Sequence, residues 1–240
     1  MNMRGYALLL AVILLPGASV AANDTATLPV SVHAGYVVLK SGIEIGRIDE
    51  VFTRNDDHYS LTSTAKPLGL LALFKPGKIF IHSAGTVTAQ GLQPVQFSYQ
   101  REGESQKDSH ADFAWENQRL SLNHDGQHIE MDLPHGTQDR LSAMYQFMFL
   151  NLREMRMLKF PMTNGSKLDD YHYTIAEGAP FKTAADQFNT WYLDSQAQAG
   201  ETRTQLWLAI ERYNLPCKLV ITDPDGGKLT QELRTLHIQP

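Results

Sequence analysis

The sequence predicts a mainly β protein. The expected form is an antiparallel barrel-like or strongly curved sheet or sandwich of roughly ten to twelve strands, with one long amphipathic helix over about residues 138–155. Three observations lead there. Apolar and polar residues alternate through most of the chain, turn signals recur between those runs, and a single stretch follows a helical period instead.

The elements follow in order. Arg4 is the only charge before Asp24, and Ala7 to Leu15 are unbroken apolar residues. Pro16 and Gly17 interrupt that run, and Ser19-Val20-Ala21 and Val20-Ala21-Ala22 offer small residues for a signal peptidase. This predicts a cleavable signal peptide over residues 1–21 and a single β domain over 22–240. The apolar run is too short to cross a bilayer, which needs about 20 residues, and no later stretch is long enough. No cysteine adjoins the cleavage point, so a lipid anchor is not expected. The expected location is the periplasm.

Ile43 and Ile45 open the first alternating run, and Tyr59 and Leu61 the next. A short helical turn is expected at Leu68–Leu73, before Pro76-Gly77. Val95, Phe97 and Tyr99 alternate with Gln96 and Ser98, and Phe113 and Trp115 continue in the same style. The polar stretch Glu102–Ser109 reads as a hairpin tip. Leu120 and Leu122, then Ile129, Met131 and Leu133, flank Asp125-Gly126, a strong hairpin signal. Tyr171, Tyr173 and Ile175 form another run, and Thr183–Asn189 is expected to make a helical turn. Leu206, Leu208 and Ile210 precede Leu219 and Ile221, and Asp223-Pro-Asp-Gly-Gly227 turns the chain into Leu229. Strict alternation implies one buried and one wet face, which suits antiparallel pairing.

The exception lies at Gln138–Met155. Leu141, Met144, Tyr145, Met148, Leu152 and Met155 recur at helical spacing, and Thr137 or Asp139 can supply the cap. Phe147, Phe149 and Leu150 widen the apolar face, so the helix is expected to be buried against the concave side of the sheet.

Composition narrows the function classes. Cleavage leaves 219 of the 240 residues, and loss of Arg4 takes the net charge from −5 to −6. Mild acidity without a basic run argues against nucleic acid and anionic lipid as partners. Cys217 is the sole cysteine, so no intramolecular disulfide is expected. Within Leu-Pro-Cys-Lys-Leu-Val-Ile it reads as a small buried hydrophobe in a strand, with a reactive thiol as the alternative.

The search for chemistry finds no enzyme signature. Ser63-Thr64-Ala65-Lys66 matches the S-x-x-K pattern of penicillin-recognising enzymes, which needs a helix to bring Ser and Lys together. Here it continues a strand, where residues three apart point to opposite faces. His124, His128 and His135 are the closest histidines. A turn at Asp125-Gly126 pairs His124 with Gln127 and Asn123 with His128, which sends the two histidines to opposite faces, so no metal site is expected. Asp223 to Gly227 resembles half a calcium loop, but the twelfth position is Arg234. Asp56-Asp57 and Asp169-Asp170 read as solvated loop doublets. No dinucleotide or phosphate-binding fingerprint occurs, and no cofactor is expected.

One resemblance covers nearly the whole chain after residue 21. Its residues include Gly46, Tyr59-Ser60-Leu61, Gly69-Leu70, Ser83-Ala84-Gly85, Gly91-Leu92-Gln93-Pro94 and Phe97. Most specific is Leu133-Pro-His-Gly-Thr-Gln-Asp-Arg-Leu-Ser142, followed by Tyr145-Gln146, Trp207-Leu208-Ala209 and Leu215-Pro216. In these the chain resembles the DUF3108 family, exported bacterial proteins of uncharacterised function. The resemblance implies a β-rich, barrel-like or sandwich-like domain in the envelope and carries over no catalytic residue.

Gln138, Asp139, Ser142 and Tyr145 are the candidate ligand-binding residues, as a polar patch at the mouth of the expected helix. The alternative is a capping network that locks the helix onto the sheet. The functional expectation is a non-enzymatic periplasmic binding or envelope-maintenance protein, with a lipid, a glycan or an envelope protein as partner. A hydrolase of envelope polymers and a protein that docks partners along an edge strand are the alternatives.

Overall fold

The computed structural model describes residues 28–74, 77–198 and 200–240. The expected signal peptide lies outside the described residues.

The chain enters the middle of one sheet and walks outward by hairpins. The first meander comprises β1 (Ser31–Lys40), β2 (Ile43–Asn55), β3 (His58–Pro67), β4 (Ile79–Thr88), β5 (Gly91–Arg101), β6 (Ser109–Ala114), β7 (Arg119–His124) and β8 (Gln127–Asp132). A short helix, α1 (Gly69–Phe74), interrupts it between β3 and β4. The chain then crosses to the far edge, where β9 (Gln138–Asp139) lies parallel to β10 (Met157–Thr163). The second meander returns through β11 (Leu168–Lys182), β12 (Gln187–Asp194), β13 (Arg203–Ala209), β14 (Leu215–Thr222) and β15 (Lys228–Gln239). There β15 pairs with β1 in antiparallel register, from Ser31 opposite Gln239 to Lys40 opposite Leu229. The order across the sheet is β8 to β1, then β15 down to β9.

The described residues thus form fifteen strands in one open sheet, rather than the expected ten to twelve. Two of the strands missed in the sequence, β1 and β4, break alternation on the inner face. In β1 the neighbours Tyr36 and Val37 are both buried, opposite a bulge that skips Arg234 in β15. In β4 the inward positions include Ser83 and Gly85, which carry no apolar signal. The expected helical turn at Thr183–Asn189 is a hairpin turn, because the Thr183 hydroxyl accepts the Ala185 N–H at 3.0 Å and Thr183 N–H bonds Asp186 O. Val95 faces out where alternation puts it in. A bulge pairs Gly85 with Pro94 and Ala84 with Gln96, which skips Val95 and turns Leu92, Pro94 and Phe97 inward.

Other expectations hold. Asp125 (φ 51°) and Gly126 (φ 70°) form the two-residue hairpin turn between β7 and β8, with His124 opposite Gln127 and Asn123 opposite His128. In β3, Ser63 points inward while Lys66 sits outside, 3.7 Å from Asp49. Cys217 is buried, its thiol donates to Trp207 O at 3.3 Å, and burial pushes that thiol up to about 12.

The two halves of the sheet curl toward each other. Ser109 of β6 donates its hydroxyl to Asn164 O in the β10–β11 turn at 2.9 Å. Beside it, Gly165 (φ 86°) sits so close to Ser109 and the Phe97 ring that a Cβ would collide with both. Between the halves lies the crossover, residues 133–156, and large side chains such as Phe52, Leu61, Phe97, Leu206 and Leu208 fill the concave interior around it.

The crossover does not form the long helix expected over 138–155. Gln138 and Asp139 are taken into the sheet as β9. The helix α2 is only Ser142–Gln146, followed by single 3₁₀ turns at Phe147–Phe149 and Leu152–Glu154. Two forces break it. Leu141, Tyr145 and Met148 pack into the first half of the sheet, whereas Phe147 and Leu152 pack into the second. One straight helix cannot serve both cores. In addition, the Asn214 side-chain amide donates to Phe147 O (3.2 Å) and Leu150 O (3.3 Å), occupying carbonyls a helix would use.

Candidate functional site

The polar residues of the crossover each replace a missing backbone partner. Asp139 is fully buried at the end of β9. Its Oδ1 accepts the N–H groups of Leu141 and Ser142, both at 2.8 Å, and its own N–H donates to Ser142 Oγ at 3.0 Å. This reciprocal pair is the chemistry of a capping box, placed one turn ahead of α2. Asp139 Oδ2 accepts the Ser83 hydroxyl at 2.5 Å. The Tyr59 hydroxyl, 3.1 Å from Ser83 Oγ, completes the chain by donating to it. Burial raises the Asp139 pKa, and the hydrogen bonds from Ser83, Ser142 and Leu141 draw it partway back.

Tyr145 extends from α2 into the first half of the sheet. Its ring stacks on Phe52, with centroids 5.7 Å apart. Its hydroxyl donates to Glu50 Oε2 at 3.1 Å, and Ser63 donates to Glu50 Oε1 at 3.3 Å. Glu50 is a carboxyl group in the core, and burial lifts its pKa to about 7 against those two hydrogen bonds and the pull of Arg140. The sequence held a signal for it, since Ile48, Glu50 and Phe52 alternate on one strand face.

Two glutamines clamp the turn between β4 and β5. Gln146 Oε1 accepts Leu92 N–H at 2.7 Å, and its Nε2 donates to Gln90 O at 2.8 Å. Gln138 Nε2 donates to Leu92 O, also at 2.8 Å. Both backbone groups of Leu92 are therefore held by the crossover. Gly91 (φ 114°) lies directly under the Gln146 amide, where a Cβ would strike it.

Beside this clamp lies a pocket of about 160 Å³. Leu92, Trp115, Phe147, Leu158 and Phe160 supply its apolar walls, and Gln138 stands among them. Trp115 is fixed by its indole N–H, which donates to Pro94 O at 2.6 Å. His135 is the only titratable side chain in the lining. Gln138 is buried, and among the described residues its amide oxygen has no hydrogen-bond partner.

The four sequence candidates thus separate. Gln138 belongs to the pocket wall. Asp139 and Ser142 bond each other, and Tyr145 reaches the opposite side to Glu50. The clamp on Leu92 and the wall from β10 went unforeseen, because neither alternation nor motif marks a residue that works through its backbone.

The DUF3108 family pattern, described as a protein of unknown function, matches residues 30–234. That span includes every strand from β1 to β14 and the whole crossover. The chain belongs to the DUF3108 family. No curated protein matches it in sequence. Among solved structures it is similar to a β-barrel-like protein of the DUF1849 domain of unknown function from Brucella abortus. The TM-score is 0.57 at 13% identity, over 87% of this chain and 98% of that one. At such identity the DUF3108 chain shares a fold with it and nothing more is implied. A candidate lipoprotein from Parabacteroides distasonis aligns over 88% of this chain and 96% of its own, at 8% identity and a TM-score of 0.37, too loose to define the fold.

Proposed function

We propose that this DUF3108 protein is an exported, non-enzymatic binding protein of the bacterial envelope, a single domain from residue 22 onward. It binds in the pocket beside the Leu92 clamp rather than in a hollow interior. One observation carries this reading: beside the clamp lies a pocket of about 160 Å³ whose walls are largely apolar, from Leu92, Trp115, Phe147, Leu158 and Phe160. Gln138 is then the residue that meets the ligand, while Asp139, Ser142 and Tyr145 hold the crossover in position.

The size of the pocket selects among the candidate partners. Sites for drug-sized ligands span about 300–1,000 Å³, so about 160 Å³ accommodates one small group rather than a whole acyl chain. Binding is favoured over hydrolysis because the buried carboxyl groups, Glu50, Asp139 and Asp194, are engaged in bonds within the fold, the first two fixing the crossover and the last paired with Arg203.

The test starts from protein recovered from the periplasmic fraction. Its N-terminus should be Ala22, and native mass spectrometry should detect a mass above the polypeptide that Leu158→Trp, which fills the pocket, removes. Retention in the cytoplasm, or identical bare masses for both proteins, defeats the proposal.

A further inference from the structure

The pocket adjoins an open edge of the sheet. β9 covers β10 only at Met162 and Thr163, and among the described residues no strand flanks Met157–Pro161 on that side. Two bonds fix the direction of the backbone groups left there. Ile175 N–H donates to Arg156 O at 2.9 Å, on the β11 side, and Arg140 N–H donates to Thr163 O at 3.0 Å, on the β9 side. Backbone groups alternate in direction along a strand, and the β10–β11 register runs without a shift. The N–H and C=O groups of Met157 and Lys159, and the Pro161 carbonyl, therefore point to the open edge. None of them bonds another described residue.

Side chains place the pocket on the same edge. Leu158 and Phe160 lie opposite Tyr173 and Tyr171 of β11, and both line the pocket. Residues opposite each other in a ladder share a face, so a strand added along β10 presents the residue facing Leu158 to the pocket. Exposed His135 and Gly136 belong to the same lining, so the pocket is reached from solvent. Its volume of about 160 Å³ is close to the roughly 150 Å³ that holds one benzene ring. Charge sets a second requirement. Lys159 pairs with Asp170 at 3.2 Å, whereas Arg156 is exposed and has no ion pair among the described residues. Arg156 shares the strand face of Leu158, two residues away.

We infer that β10 accepts an extended segment of a partner protein by strand addition, with one large apolar side chain in the pocket and an acidic residue two positions away against Arg156. This rests on the binding reading above and names its partner.

Fluorescence anisotropy of a labelled seven-residue peptide amide with the full mature chain tests it. The peptide carries Phe at its centre, Glu two positions to either side and Ser elsewhere, so it serves for either strand direction. It should bind saturably. Ser in place of Phe should weaken binding at least about tenfold, the worth of a buried aromatic side chain. N-methylation of the three central residues should weaken it about three- to tenfold by removing donors to the edge. Lys159→Pro should do the same, since that N–H takes no part in the β10–β11 ladder, and Arg156→Glu should cost about two- to fivefold. No saturable binding overturns the inference, as does equal affinity for the Phe-centred, Ser-centred and N-methylated peptides. Both results use the unaltered protein and stand even if a variant does not fold. A mature chain that dimerises, and loses its dimer with Lys159→Pro, makes a second copy the occupant and overturns it too. If the peptide fails while periplasmic protein still carries a ligand that Leu158→Trp displaces, strand addition falls and the binding reading survives.

Discussion

Glu50 makes the energetics of this core measurable. Its carboxyl group titrates at about 7 in the folded protein, against an ordinary value of 4.5. The difference of about 2.5 on the pH scale corresponds to on the order of 3 kcal/mol, at about 1.4 kcal/mol for each. The folded state holds the proton to higher pH than the unfolded chain does. The unfolded chain therefore binds fewer protons between about pH 4.5 and 7, and stability falls as pH rises through that window. The contribution is fully present below pH 4.5 and lost above pH 7. Glu50→Gln removes the titration while keeping the shape and an oxygen to accept from Tyr145 or Ser63. Urea denaturation at pH 4.5, 6 and 8 provides the assay. The unaltered protein should lose stability across this series, and the variant should lose about 3 kcal/mol less. Asp139, whose pKa is also raised, tilts both curves in the same direction and cancels in the difference. Parallel curves would refute the reasoning, because they mean that Glu50 titrates equally in both states.

Three further substitutions or treatments probe the same region. Asp139→Ala strips partners from the Leu141 and Ser142 N–H groups and the Ser83 hydroxyl, and should cost roughly 2–5 kcal/mol in chemical denaturation, whereas a loss under about 1 kcal/mol would deny it a structural role. Gly91→Ala combines a positive φ with a collision against Gln146 and should lower stability by at least about 1 kcal/mol, while an unchanged Tm would mean that the Leu92 clamp is slack. Cys217, buried and with its thiol pushed up to about 12, should react with a thiol reagent only after unfolding in urea, and rapid native labelling would contradict its burial.

Much of the sheet was readable because alternation survives wherever a strand packs against featureless apolar surface. β7 and its Asp125-Gly126 turn follow the pattern residue by residue, with Leu120 and Leu122 buried, whereas β8, at the sheet edge, leaves Ile129 exposed. Reading failed where the inner face meets the crossover. β4 presents Ser83 and Gly85 inward because Asp139 needs a hydroxyl donor there and the β5 backbone comes too close for a side chain at Gly85. The bulge at Val95 is invisible to a period count, since it shifts the phase without changing composition. The helical stripe at 141–155 was real as a pattern, but its apolar residues answer to two facing cores, and tertiary packing outweighs the weak propensity of a short helix.

The residues that carry the family resemblance now have a physical meaning. Gly91-Leu92, Gln138-Asp139, Ser142 and Tyr145-Gln146 lie far apart in sequence, yet they form one joint. A sheet that starts and ends at its centre leaves two edges, and the chain must cross between them once. That crossing is irregular, so side chains must satisfy the backbone groups that a helix or ladder would otherwise pair. Asp139 does this for the start of α2, Asn214 for its end, and Gln146 and Gln138 for the β4–β5 turn. In this joint Gln138 commits its Nε2 to Leu92 O, and Asn214 commits its amide nitrogen to two carbonyls. Leu or Met at position 138 would leave the buried Leu92 carbonyl without that donor, so the joint itself explains the glutamine.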